Sequence, residues 1–221
     1  MLYLQFSDFF KATLKNKLFF AALLLIMLFA QDNRAEAKQV MIFGDSLSAA
    51  YGLDIDQGWV HLLAEHLNEQ YGEQHTIVNA SISGETTVGG LARLPLSLEQ
   101  IKPDVVILEL GANDGLRGYP LDGIRNNLDK MISLIQDSNA KVILAGISLP
   151  PNYNPRYVDK FSALFSELAE QKGLPFINFY REEFLNKPGY IQQDGLHPTA
   201  ITQPIFRDIM IEFFQQHKIL D

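Results

Sequence analysis

The chain has 221 residues, 47% of them hydrophobic, a formal net charge of −8 at pH 7 and no cysteine. That length suits one domain with a proper core, and the absence of cysteine excludes disulfides and a thiol-linked lipid anchor. An acidic balance without basic runs argues against nucleic acid as a partner and against electrostatic docking on anionic lipid.

In chain order, Lys11, Lys15 and Lys17 precede an unbroken apolar run over residues 18–30, and a polar stretch then ends in Ala35, Glu36 and Ala37. This is the pattern of a secretory signal peptide with a small-x-small cleavage site. The run is shorter than the ~20 apolar residues a spanning helix needs. Cleavage after Ala37 is therefore expected, making residues 1–37 a signal peptide and residues 38–221 a single periplasmic or secreted domain with no stable membrane anchor.

Val40, Met41, Ile42 and Phe43 form a short apolar run that stops at Gly44, as a strand covered on both faces would. Residues 76–79, 105–110, 142–147 and 175–178 read the same way. Between them lie helical stripes: Trp59, Leu62, Leu63, His66 and Leu67; Ile124, Leu128, Ile132 and Ile135; Phe161, Leu164, Phe165 and Leu168; and finally Ile205, Ile209 and Phe213. Strands alternating with helices imply right-handed βαβ units and a parallel sheet. The expected fold is α/β, a three-layer α/β/α sandwich on a flavodoxin-like parallel sheet of about five strands.

Ligands of such sheets bind beyond the carboxyl ends of the strands, and four short blocks fall there. They are Gly44, Asp45, Ser46, Leu47 and Ser48 after the first strand; Ser83 and Gly84 after the second; Gly111, Ala112, Asn113 and Asp114 after the third; and Asp194, Gly195, Leu196 and His197 before the last helix. Ser46 is expected where a helix begins, its hydroxyl facing the cleft. A serine is a poor nucleophile without a base, and histidine is the usual one near neutral pH. His197 fits that role, with Asp194 three residues earlier accepting its other ring proton and fixing the tautomer.

Donors for a developing oxyanion would be the backbone N–H groups of Ser46 and Gly84 and the side-chain amide of Asn113. Each residue has a plainer reading: Ser46 as a helix cap, Asp194 as a turn residue before Pro198, Gly84 as a loop glycine, Asn113 as an Asx-turn with Gly115. Their convergence on one sheet edge favours the chemical reading. Asp45 and Asp114 read as carboxylates that cap backbone amides. Gly-x-Ser-x-Gly, the nucleophile elbow of α/β-hydrolases, is absent. His61, His66, His75 and His217 lack ligand spacing, so neither a metal nor another cofactor is expected. Gly89 and Gly90 with Arg93 lack the Lys-Ser/Thr of a phosphate loop.

These residues resemble the SGNH (GDSL) hydrolase family over essentially all of residues 38–221, on the stretches GDSLSAAYG, NASISGETTVGGLARL, ELGANDGLRG and DGLHP. The likeness is strongest to its bacterial periplasmic thioesterase–lysophospholipase branch and to related arylesterases. It implies Ser46, Asp194 and His197 as a triad, and hydrolysis of fatty acyl esters and thioesters (acyl-CoA, lysophospholipid, aryl esters) through an acyl-enzyme on Ser46. Ala112, where some relatives have glycine, touches no reacting atom in that scheme. By analogy with relatives, Leu116 and Tyr119 in loop 115–120 and Pro150 and Tyr153 in segment 149–155 would wall an acyl groove, the first loop moving on chain binding.

The expected partner is a small-molecule acyl ester or thioester, and the expected state a monomer. The same triad could serve a short-chain arylesterase or a carbohydrate deacetylase. A non-catalytic binding module is the remote alternative, since neither the serine nor the histidine is missing.

Overall fold

The centre of the molecule is a five-stranded parallel sheet whose strands are β1 (Gln39–Gly44), β2 (Thr76–Asn79), β3 (Val105–Glu109), β4 (Lys141–Ile147) and β5 (Phe176–Tyr180), in the spatial order β2-β1-β3-β4-β5. The computed structural model describes residues 37–150 and 152–220; the expected signal peptide, Ala37 apart, lies outside them. The connecting helices are α1 (Trp59–Tyr71), α2 (Thr87–Ile101), α3 (Ala112–Leu116), α4 (Leu121–Asp137), α5 (Pro155–Lys172), α6 (Glu182–Leu185) and α7 (Gln203–His217). Helix α1 packs on α7, while α2 packs on α4 and α4 on α5. Right-handed crossovers on this strand order place those two groups on opposite faces, completing the expected three layers.

The core follows from the apolar runs. Val40, Met41, Ile42 and Phe43 of β1 and every residue of β3 are buried, so the two central strands are covered on both faces. Leu63, Leu128, Ile132, Phe161 and Phe165 of the helices belong to the same buried core. Two expectations shift. Strand β2 is an edge strand with half-exposed residues, so its short run does not mark a central strand. Helix α7 faces the core with Phe206, Met210, Phe213 and Phe214, leaving Ile205 and Ile209 half-buried. The apolar arc of α7 is wide enough that the isoleucines mark its margin.

The strand order reverses between β1 and β3, and Ser46 and Asn113 follow those two strands. The crevice of the fold is therefore where the sequence places its chemistry.

Candidate active site

Beyond Gly44 the chain does not enter a regular helix, contrary to expectation. It makes a run of tight turns over residues 45–53, in the first of which the N–H of Ala49 donates to the Asp45 carbonyl at 3.0 Å and that of Leu47 to Asp45 Oδ1 at 3.1 Å. The next regular α-helix starts only at Trp59. The turn holds Ser46, partly exposed, between buried Asp45 and Leu47. Two clamps fix it: the Trp59 indole donates to the Leu47 carbonyl at 3.2 Å, and the Asn79 amide to the Ser48 carbonyl at 2.8 Å.

His197 comes from a loop closed by an antiparallel bridge between Ile191 and Pro198. Asp194 Oδ1 accepts the backbone N–H groups of Leu196 at 2.9 Å and His197 at 3.0 Å, and its Oδ2 lies 2.7 Å from His197 Nδ1. Partial burial pulls the Asp194 carboxyl upward, but the hydrogen bonds from the His197 ring and these two amides outweigh it and hold the group below the usual range. An ionised Asp194 makes Nδ1 the protonated ring nitrogen. Nε2 is then the acceptor, and Ser46 Oγ stands 2.8 Å from it as donor.

The loop is held in turn by residues that the sequence did not single out. The Tyr180 hydroxyl donates to the Leu196 carbonyl at 2.5 Å, and the Gln192 amide donates to the carbonyls of Tyr51 at 2.8 Å and Pro198 at 2.9 Å. The Tyr51 ring lies 4.2 Å from the His197 ring. Tyr180 lies two residues beyond the expected strand 175–178 and Gln192 outside every expected element, so no local signal marks them.

Across the crevice, Gly111 adopts φ 124°, a conformation that favours glycine, and turns the chain from β3 into α3. The Asn113 amide donates one hydrogen to Asp45 Oδ2 at 3.1 Å, leaving its second hydrogen for a ligand. Gly84, at φ 79°, sits exposed in the loop between β2 and α2, its carbonyl 3.5 Å from Arg117 Nη2. Among the described residues, the backbone N–H groups of Ser46 and Gly84 have no protein acceptor. Asp114 accepts the N–H of Thr87 at 2.8 Å and its hydroxyl at 2.6 Å, tying α3 to the start of α2.

Beside Ser46, Asn113 and His197 lies an apolar crevice walled by Leu116, Ile147, Leu149, Pro150, Tyr180 and Leu196. Its volume is about 10 Å³, near the space one water occupies. Leu116 and Pro150 line it as expected, whereas Tyr119 and Tyr153 do not. Leu116 is the last residue of α3, so the expected loop 115–120 begins as helix, and Tyr119 follows the turn at Gly118 to stand exposed. Tyr153 spends its hydroxyl on the Leu116 carbonyl at 3.1 Å, and Tyr157 donates to the Tyr119 carbonyl at 2.8 Å.

Beneath the serine turn lies a pair of fully buried acids, Asp45 and Glu109. Burial drives both carboxyls up: Asp45 to about 7, with the charges of Asp114 and Glu85 adding to the rise, and Glu109 well above its ordinary range, with Asp45 adding to that. Sequence reading assigned Glu109 no role. A lone glutamate near the end of the run 105–110 looks like the polar end of a strand.

The model of the GDSL-like lipase/acylhydrolase family matches residues 42–203. An arylesterase of Vibrio mimicus is 43% identical over 194 residues, covering 87% of this chain and 96% of the relative. The thioesterase 1/protease 1/lysophospholipase L1 of Escherichia coli (strain K12) is 40% identical over 181 residues, covering 82% and 85%. Among solved structures, the psychrotrophic esterase EstA from Pseudoalteromonas sp., inhibited by monoethylphosphonate, superposes with a TM-score of 0.77 at 41% identity, covering 81% of this chain and 97% of that one.

Proposed function

The chain belongs to the GDSL-like lipase/acylhydrolase family, and on that premise we propose that residues 38–221 form a one-domain serine hydrolase that cleaves acyl esters and thioesters through an acyl-enzyme on Ser46. The observation that carries this reading is the unbroken relay from Ser46 Oγ to His197 Nε2 at 2.8 Å and from His197 Nδ1 to Asp194 at 2.7 Å.

In the reaction Ser46 gives its proton to His197 Nε2 as Oγ attacks the acyl carbon. Asp194 stays ionised and stabilises the imidazolium. The oxyanion of the tetrahedral intermediate is met by the N–H groups of Ser46 and Gly84 and by the free amide hydrogen of Asn113. His197 then protonates the departing alcohol or thiol. Water, deprotonated by His197, attacks the acyl-enzyme and releases the acid and Ser46.

Substrate class follows from the crevice. Leu116, Leu149 and Pro150 give an acyl chain an apolar wall, and chains of medium to long length enter once α3 and segment 149–150 part. A second reading, a short-chain arylesterase or carbohydrate deacetylase, draws on the small crevice volume of about 10 Å³, which a short acyl group has to widen less than a long chain does. No helix among the described residues is long and apolar enough to cross a membrane. With residues 1–37 as a cleaved signal peptide, the enzyme acts in the periplasm or outside the cell, as a monomer without a stable anchor.

The test is hydrolysis of p-nitrophenyl esters from acetate to palmitate by residues 38–221, beside Ser46→Ala and a phosphonate label. Turnover and labelling at Ser46, both lost in the variant, are expected. Rates that rise to medium chains support the lipid groove, and a peak at acetate supports the short-acyl reading. An enzyme that neither turns over esters nor takes the label is a binding module on this scaffold.

A further inference from the structure

Glu109 is a buried carboxyl that the reaction scheme leaves without a task. It closes β3 opposite Gly44 of β1. Its two donors, the Ser48 hydroxyl at 2.7 Å and the more distant Asp45 N–H at 3.4 Å, both address Oε2, and Oε1 has no hydrogen-bond partner. Asp45 is served differently, since Oδ1 takes the Leu47 N–H and Oδ2 the Asn113 amide, each at 3.1 Å. A carboxylate needs donors at both oxygens, whereas a carboxylic acid accepts at its carbonyl oxygen and carries the proton on the other. A hydroxyl at Oε1 would lack a partner too, but an orphaned charged oxygen costs more than an orphaned neutral one. The donor pattern therefore favours the proton of the pair on Glu109 and the charge on Asp45.

We propose that Glu109 is a positioning residue that works as a neutral acid: its carbonyl oxygen ties the Ser46 turn to the end of β3, and its retained proton leaves Asp45 as the single charge that orients Asn113. Gly44 fits this arrangement, because a Cβ there would lie 2.4 Å from Glu109 Oε2 and 3.1 Å from Ser48 Oγ. The charged groups around the pair favour one charge only. Asp114 of α3 and Glu85 ahead of α2 both act on Asp45 with like charge. Arg93 of α2 pairs with Glu85, its Nε 2.8 Å from Oε2, and lays its guanidinium over the Phe43 ring at 4.0 Å; its buried Nη2 has no hydrogen-bond partner and bonds neither acid of the pair. The His197 ring bonds Ser46 and Asp194 and neither acid of the pair. Burial raises both acids, and hydrogen bonds pull both back. The bonds from Leu47 and Asn113 serve both oxygens of Asp45, while those from Ser48 and the Asp45 N–H serve one oxygen of Glu109, so Asp45 ionises first. Once Glu109 loses its proton, two like charges face each other: the Ser48 hydroxyl still holds Oε2, but the Asp45 carboxylate is repelled, and the Asn113 donor bonded to it is displaced. Glu109 thereby sets the alkaline limit of turnover.

The inference rests on the proposed roles of Ser46 and Asn113 for its kinetic arm alone. In carbon-13 NMR of wild-type residues 38–221 labelled at the glutamate carboxyls, one glutamate should keep its proton where all others are ionised, and Glu109→Gln should remove that signal. In kinetics, Glu109→Gln, a neutral isostere, should keep kcat/KM at pH 7 within about threefold of wild type and lose the alkaline fall. Glu109→Ala, which also removes the carbonyl oxygen, should lose about tenfold or more at every pH. Wild-type glutamates that all titrate in the ordinary range overturn the proposal. So does a folded Glu109→Gln enzyme that is inactive, or one whose alkaline limb is unchanged. A late-titrating Glu109 in a protein without ester turnover would instead retire the hydrolase reading and leave the proton where it is placed here.

Discussion

In the proposed reaction Ser46, His197 and Asn113 act in different ways, and their substitutions should separate accordingly. Ser46→Ala and His197→Ala each break the same proton relay, so each should lower kcat by on the order of 10⁶-fold, and the double variant little further. Asn113→Ala leaves the relay intact and removes one oxyanion donor, so its loss should be roughly 10²–10³-fold. Undiminished kcat in Asn113→Ala would exclude it from the oxyanion site. Gly44 offers a test of packing alone. Its Cβ would meet the Glu109 carboxyl at 2.4 Å, so Gly44→Ala should lower the melting temperature as well as kcat.

At the scale of elements, two loops more than a hundred residues apart in sequence must keep Ser46 and His197 in register. Gln192 bridges them, one amide group donating to the Tyr51 carbonyl of the first loop and to Pro198 of the second. Tyr180 supports the second loop from β5. Gln192→Ala and Tyr180→Phe should each lower kcat by about tenfold to a hundredfold with little change in KM, because a misplacement of about 1 Å costs that much without touching substrate. Equal kcat in Gln192→Ala would show that the loops hold their register without the bridge. These supports also mark where sequence reading stops. The strands β1, β3 and β4 are legible because residues such as Val40 and Ile143 need cover on both faces. Ser46, Asn113, Asp194 and His197 are legible because each is a chemically special residue at the end of a strand or before a helix. Gln192, Tyr180 and Glu109 act through contacts between distant elements, which no local pattern encodes. Tyr119 misled for the complementary reason: an apolar residue near the site reads as lining until the turn at Gly118 carries it outside.

For the molecule as a whole, the buried acids tie stability to pH in the direction opposite to most carboxylates. Asp45 has an ordinary value of 3.8 and stands near 7 in the folded protein, so between those values the native state binds a proton that the unfolded chain has released. Stability then falls as pH rises through that window, by up to about 1.4 kcal/mol per pH unit for one such group. Glu109, displaced in the same direction, extends the fall to higher pH. Asp194 works the other way: its depressed value stabilises the fold at neutral pH, and that contribution is lost in acid as the pH drops through its folded value. The melting temperature should therefore be higher near pH 5 than near pH 8. The net charge of −8 adds a slope of the same sign through repulsion at the surface, but salt separates the two. Surface repulsion is screened within about 8 Å at physiological ionic strength, while buried groups are screened far less. Melts at pH 5 and pH 8 in low and high salt should keep most of their difference in the wild type, and Glu109→Gln should flatten the part above pH 7. A difference that vanishes in high salt would assign the effect to the surface and not to the buried pair.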